Sequence, residues 1–286
     1  MRGWLIVNNF VNSEKSKTLR SMLMAAAEEN KIQLEMKKTG ELCQAVGSGF
    51  GDLPDFGIFW DKDVNLAARL ENAGLRLFNS AHGIEFCDNK VKTYGELARA
   101  GVAFPKTFCS PKTYKGIGYS NTDFVKKAAK ELGFPLIIKE AYGSFGQQVY
   151  LAKDMPEALK IVRLMEDREF VIQEYVSYSS GRDVRINVVG DKVVASIYRY
   201  NERDFRSNIS NGGSMKEYTA SDAQAELAVK ACKALGLDFG GVDVLFSQSG
   251  KPVVCEVNSN PHFKSTFDCT GVDMSKYILK YIGECL

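Results

Sequence analysis

The sequence predicts a mixed α/β and α+β chain made of two or three packed units. Strands and helices alternate from Gly3 to about Ser80, as they do in an open parallel sheet. Further on, apolar runs come in pairs joined by glycine-bearing turns, as in antiparallel hairpins. The 286 residues also exceed the usual size of one domain and suffice for a substantial core.

The first unit reads GWLIVNN, the helical LRSMLMAAAEENK, IQLEMKK, DFGIFW, NLAARLENAG and RLFNS. The turn after its first strand, Asn8 to Ser16, lacks a G-x-G-x-x-G pattern. A dinucleotide site is therefore disfavoured, and the unit is expected to be a scaffold or one wall of a substrate site. Two helices are expected between Ala81 and Gly101, with Asp88 or Asn89 capping the second. Lys90 then lies in a first helical turn, where the helix dipole gives a cation nothing; it is either an ordinary exposed lysine or one with an anionic partner. A strand around PKTFCS and a helix from about Asp123 to Leu132, closed by Gly133, follow.

PLIIKEAYGSFGQQVYLA is strand, turn and strand. Lys139 sits inside an apolar run, where an unpaired ammonium is costly, so it needs an anion. Gly143, Ser144 and Gly146 make a turn whose backbone N–H groups suit phosphates, although a plain hairpin turn has the same composition. The helix MPEALKIVRLMED leads to the apolar strand FVIQEYV, ending in Gln173, Glu174 and Tyr175. RDVRINVVGDKVVASIYRY alternates around Gly190-Asp191, which puts Asp183, Arg185 and Asn187 on one face with Ser196 and Tyr198 opposite; a solvated outer face gives the same pattern. The polar loop FRSNISNGGSMKEY carries Arg206, Ser207 and Asn208. From Arg182 to Lys216 seven Lys/Arg stand against four Asp/Glu, an excess that attracts anions.

After the helix SDAQAELAVKACKALG comes GVDVLFSQSGKPVVCEVNSNP, two apolar strands expected to join at Ser249-Gly250. If so, Gln248 faces Lys251 and Asp243 faces Glu256. Two like charges so placed repel, and a divalent cation between them removes the conflict. Asn258, two residues on, adds a neutral oxygen on the same face, completing a hard-oxygen set of the kind magnesium takes. Solvated acids on an outer face remain the alternative. The amphipathic VDMSKYILKYIGECL closes the chain.

Composition removes several classes. Lys and Arg total 37 against 35 acids with no basic block, which argues against nucleic-acid or membrane-surface binding. Seven widely spaced cysteines without a C-x-x-C pair fit a reduced, cytoplasmic protein. Two histidines leave little material for zinc or a histidine-centred triad. No secretory h-region or membrane-length apolar run is present.

Taken together, Lys139 with its glycine turn, QEYV, the D-x-R strand, RSN-x₃-GG, GVDVL and EVNSNP resemble, in order and spacing, the RimK-type ATP-grasp ligases, which include alpha-L-glutamate ligases. The resemblance runs over essentially the whole chain and is clearest from about Asp88 to Ile282. It implies an ATP-grasp fold with an N-terminal, Rossmann-like pre-ATP-grasp domain (1–86), a central subdomain with a glycine-rich flap (87–172) and a C-terminal subdomain with the magnesium site (173–286). It implies ATP and magnesium as cofactors, the latter as two ions or with manganese in its place. Lys90, Lys139, Gly143, Ser144, Gly146, Ser207 and Asn208 would contact phosphates. Glu174 and Tyr175 would face adenine, and Asp183 the ribose. Arg206 and Arg185 would act at the reacting groups, and Asp243, Glu256 and Asn258 would hold the metal.

The implied reaction is amide formation between a small-molecule or peptide carboxylate and an amino acid such as glutamate, through an acyl phosphate. No nucleic acid or membrane partner is expected, and self-association is left open. A non-catalytic ATP-binding regulator and a peptide-modifying macrocyclase are the alternatives. One departure stands out: where the family has S-P-G-x-E-G after EVN, this chain has Ser259-Asn260-Pro261-His262-Phe263-Lys264-Ser265. His262 and Lys264 are therefore candidate substrate contacts, with loop drift the competing explanation.

Overall fold

The structure is a computed structural model that describes every residue except 144 and 145 and the side chain of residue 210. Ser144, assigned above to the glycine turn, lies outside the described residues.

The N-terminal unit comprises β1 (Arg2–Val7), α1 (Glu14–Glu29), β2 (Gln33–Lys38), β3 (Phe56–Trp60), α2 (Val64–Asn72) and β4 (Leu77–Phe78). Its sheet is parallel in the order β2-β1-β3-β4, as the alternation predicts. Ser13 and Asp63 start the two helices by accepting from Ser16 N and Leu66 N. α1 buries Leu19, Leu23, Ala26 and Ala27 against the sheet. Next come α3 (Ala81–Asp88) and α4 (Lys90–Arg99), the latter capped by Asn89, whose side chain accepts from Val91 N and Lys92 N.

The second sheet is antiparallel. It is built from β5 (Thr107–Cys109), α5 (Asp123–Leu132), β6 (Leu136–Glu140), β7 (Val149–Ala152), α6 (Met155–Met165) and β8 (Phe170–Glu174), in the order β5-β8-β6-β7. Val125, Ala128, Ile138, Val162 and Phe170 belong to a core of its own. The third sheet holds β9 (Arg182–Val189), β10 (Lys192–Tyr200), β11 (Ser214–Glu217), α7 (Asp222–Ala234), β12 (Phe239–Leu245) and β13 (Val253–Asn258), antiparallel in the order β11-β10-β9-β12-β13. α8 (Lys264–Thr270) and α9 (Met274–Cys285) follow.

Two bulges in this sheet decide which side chains reach the site. β9 and β10 pair as expected beside Gly190-Asp191, Val189 with Lys192 and Val188 with Val193, but the register then shifts before Ala195. One extra residue turns the rest of β10 over. Arg199, not Tyr198, is therefore opposite Asp183, while Ser196 and Tyr198 face Ile186 and Val184. On the other hairpin, Leu245 pairs with Val253, so the expected tight Ser249-Gly250 loop with Gln248 against Lys251 does not form. A bulge at Cys255 restores the count, and Asp243 does face Glu256.

The first and third units share a core. Trp60 stacks on Phe239 with ring centroids 5.6 Å apart and meets Phe263 edge-on, and Ile278, Leu279 and Ile282 of α9 join the same cluster. Asn79, fully buried, satisfies its whole amide across this boundary: Nδ2 donates to the Phe239 and Ser259 carbonyls, and Oδ1 accepts from Asp238 N and Phe239 N. A buried amide so completely paired fixes one element firmly against another. Tyr94 and Leu97 of α4 pack with Val184, Val242 and Val254, and the Tyr94 hydroxyl donates to the Cys255 carbonyl at 2.6 Å. Among the described residues no helix is long and apolar enough to cross a membrane.

Candidate active site

A cleft of about 850 Å³ lies between the second and third sheets. Ile137, Val149, Val176 and Leu245 line it with apolar surface, and Tyr175 and Phe205, with ring centroids 6.4 Å apart, form an aromatic corner. Glycines and neutral polar side chains, Gln173 and Asn208 among them, share the rest of its lining with charged groups.

Lys139 on β6 is buried, with Nζ 3.5 Å from Cys255 Sγ. Burial disfavours its charge, but Cys255, Tyr94 and Glu256 nearby outweigh that cost and hold its pKa above the ordinary lysine value. The Cys255 thiol is itself pushed up by burial in spite of Lys139, so it stays protonated at neutral pH. Lys90, the first residue of α4, points into the same place, 3.5 Å from Glu256 Oε1 and 3.4 Å from the Gly143 carbonyl. The anionic partner its helix position suggests is Glu256. Adjacent residues of a regular strand face opposite sides, and it is the bulge that lets Cys255 and Glu256 both line the cleft.

The acids beside them form one network. Asp243, 3% exposed, is held by Arg185 through Nε and, at 2.9 Å, through Nη2, and by Arg199 Nη2 at 2.9 Å. Arg199 also grips Asp183 bidentately at 2.7 and 2.6 Å, and Ser207 Oγ donates to Asp183 Oδ2 at 2.6 Å. Burial alone would raise the Asp243 pKa; Arg185 and Arg199 overcome it and hold the carboxyl below its usual range. Arg199 was not singled out from the sequence, because nothing in VVASIYRY marks the bulge that turns it inward.

Arg206 Nη1 donates to the Gly146 carbonyl at 2.7 Å while Asp204 holds the rest of its guanidinium. Gly146 has φ 71°, and a Cβ there would come within 2.8 Å of Asn208 Oδ1, so the end of the glycine turn rests directly on the RSN loop. Gly143 lines the cleft as well. Glu174 and Tyr175 lie at its edge, but Glu174 N–H is spent on the Lys106 carbonyl and its carboxylate accepts from Lys106 N, so its own N–H is not presented to the cleft.

The remaining predicted residues are not in the lining. Arg185 acts from behind Asp243, and a Cβ on Gly241 would come within 2.8 Å of the Pro261 Cβ and 3.3 Å of Arg185, which accounts for glycine in GVD. Asn258 donates through Nδ2 to the Gly241 carbonyl at 3.3 Å, so its other polar atom is an acceptor oxygen. His262 is half-buried, and burial, then Lys15 and Arg185, lower its pKa. Lys264 is ion-paired with Asp268 one turn along α8.

Asp243 and Glu256 stand opposite each other and would offer a hard cation carboxylate oxygens, with Asn258 as a neutral donor, but both Asp243 oxygens are held by Arg185 and Arg199, which a cation would have to displace. Among the described residues no group of three or more His, Cys, Asp and Glu side chains stands as a metal site. In the lining Lys90, Lys139, Arg182 and Arg206 equal Glu174, Asp183, Asp243 and Glu256 in number, and with Arg185 and Arg199 behind Asp243 and Asp204 behind Arg206 the cations lead six to five.

A family model described as a RimK-like ATP-grasp domain matches residues 87–282. The chain is 34% identical over 228 residues to beta-citrylglutamate synthase B of Danio rerio, covering 79% of this chain and 55% of that protein. It is 35% identical over 230 residues to N-acetylaspartylglutamate synthase A of Homo sapiens, covering 79% and 57%. The chain thus matches little more than half the length of either synthase. Its fold is that of a RimK domain ATP-grasp protein from Sphaerobacter thermophilus, at TM-score 0.74 and 20% identity over 98% of this chain and 99% of that one.

Proposed function

The chain belongs to the RimK-like ATP-grasp family, and we propose that it is an ATP- and magnesium-dependent ligase joining a carboxylate of a small molecule or peptide end to an amino acid, glutamate first among candidates. The observation that carries this reading is the convergence of Lys139, Asp183, Arg206 and Glu256, from two sheets and the RSN loop, on one partly apolar cleft. The relatives named as beta-citrylglutamate and N-acetylaspartylglutamate synthases support glutamate. The three sheets support three units, but not breaks at 86 and 172 as such: β8 (Phe170–Glu174) of the second sheet runs past 172 and α3 (Ala81–Asp88) past 86, so the division 1–86, 87–172 and 173–286 shifts by a few residues, with α4 packed against the last unit.

In this reading Ile137, Val149 and Leu245 take the base and Asp183 the ribose side, while Lys139 and Lys90 neutralise the phosphates. Asp243, Glu256 and Asn258 would hold magnesium, which supplies charge neutralisation at the transferring phosphoryl group. Two anions must meet in the first step, and Arg206 with Asn208, beside the glycine turn, is placed to offset their repulsion. The substrate carboxylate oxygen attacks the γ-phosphorus, the bond to the β-phosphate oxygen breaks, and an acyl phosphate and ADP result. The amine nitrogen then attacks the acyl carbon, inorganic phosphate leaves, and the amine proton passes to solvent or to a phosphate oxygen. No protein nucleophile is needed, in keeping with the protonated state of Cys255.

The test is ADP release from ATP and magnesium across a panel of amino acids and polycarboxylates. Stimulation by one acid and amine pair supports the reading. ATP binding without turnover on any pair would favour a regulator, and absence of both would refute it.

A further inference from the structure

The outward face of α1 takes no part in the cleft. Leu19, Leu23, Ala26 and Ala27 point inward, and Lys17, Ser21, Met24 and Glu28 follow one another in a stripe four, three and four residues apart along another face, with Lys17, Ser21 and Glu28 exposed and Met24 half-buried against the core. That is the spacing at which one helix seats against another. The stripe borders a groove of about 1230 Å³ whose other wall includes Leu34 and Met36 of β2. Met36 is 43% exposed, and β2 is the outermost strand of its sheet, an edge that proteins ordinarily cover.

The stripe is complementary to itself. A second copy related by a two-fold axis across the middle of α1 would set Lys17 against Glu28 of the second copy and Ser21 against its Met24, and the same contacts would recur at the other end. Parallel stacking would instead put lysine on lysine and glutamate on glutamate. Lys17 is at present 2.7 Å from Glu14, an exposed contact one turn away that contributes little and can be exchanged.

We infer that the chain forms a two-fold dimer through this face, with α1 antiparallel to α1 of the second copy and Met24 and Met36 covered in the groove. Sedimentation of the full chain at low salt over a range of concentrations tests it. A dimer is expected, and Lys17→Glu and Glu28→Lys should each weaken it about tenfold or more, because one reversal turns two symmetry-related attractions into repulsions. The double variant Lys17→Glu/Glu28→Lys should regain wild-type dimerisation. A monomer at every concentration would overturn the inference, and so would a dimer that the single reversals leave unchanged. The exposed positions of both residues keep the fold intact in each variant, which thermal melts would verify.

Discussion

Arg199 on β10 reaches over β9 to place Nη2 2.9 Å from Asp243 Oδ2 on β12. The same guanidinium holds Asp183, so the proposed ribose-side and metal-side acids share one buried cation.

Replacing that cation should be costly. Among the described residues Arg199→Met leaves Asp183 with Ser207 and Asp243 with Arg185, and should lower unfolding free energy by about 3 kcal/mol in a denaturant titration at pH 7. Because the folded Asp243 pKa is lowered, the stability it contributes is complete above the ordinary aspartate value of about 3.9 and fades only as pH falls through the folded value. The gap between wild type and variant should therefore persist at pH 5 and narrow below pH 4. A gap that has already closed at pH 5 would contradict the ion-pair account.

Lys139→Met replaces a buried ammonium in an apolar strand by a side chain that fits there. ATP affinity should fall about tenfold to a hundredfold, the value of one charged hydrogen bond, while the unfolding midpoint barely moves. Calorimetric titration showing unchanged affinity would remove Lys139 from the phosphate site.

Glu256→Gln keeps shape and removes a metal-side charge. Turnover should drop about a hundredfold, and the magnesium concentration for half-maximal rate should rise. Chelation of the metal should stop wild-type turnover. If the variant's magnesium dependence matches wild type, Glu256 serves only Lys90.

His262 can be followed by nuclear magnetic resonance, since the chain has two histidines and His82→Asn identifies it. It should titrate below the ordinary value of about 6.5, and Lys15→Glu should raise its midpoint. A depressed folded pKa means the associated stability is complete above pH 6.5 and declines as pH falls through the folded midpoint. A midpoint at or above 6.5 would show that the ring is solvated rather than half-buried beside Lys15 and Arg185.

Much of this was legible in the sequence because short-range rules fix it. Alternation of strands and helices gives the parallel sheet, Asn89 and Gly133 mark helix ends, and a lysine in an apolar run announces Lys139. Asp243 does face Glu256, although two departures from the simple count cancel to produce it: strands that end earlier than expected and a bulge at Cys255. Where only one irregularity occurs the count fails. The shift in β10 made Arg199 invisible and set Ser196 and Tyr198 opposite the wrong residues. Asn79, at the end of an unremarkable RLFNS, was equally hidden, since its role lies in partners 160 and 180 positions away. Lys264 looked available in sequence because its partner Asp268 becomes a neighbour only on a helix.

The central claim is that a carboxylate is activated as an acyl phosphate in the cleft. Hydroxylamine offered in place of the amine, with ATP, magnesium and a panel of carboxylic acids and peptides, tests it most directly. The account predicts a hydroxamate formed from one of the acids together with an equal amount of ADP and no AMP. Release of AMP and pyrophosphate, or ATP left intact across the whole panel, would contradict it.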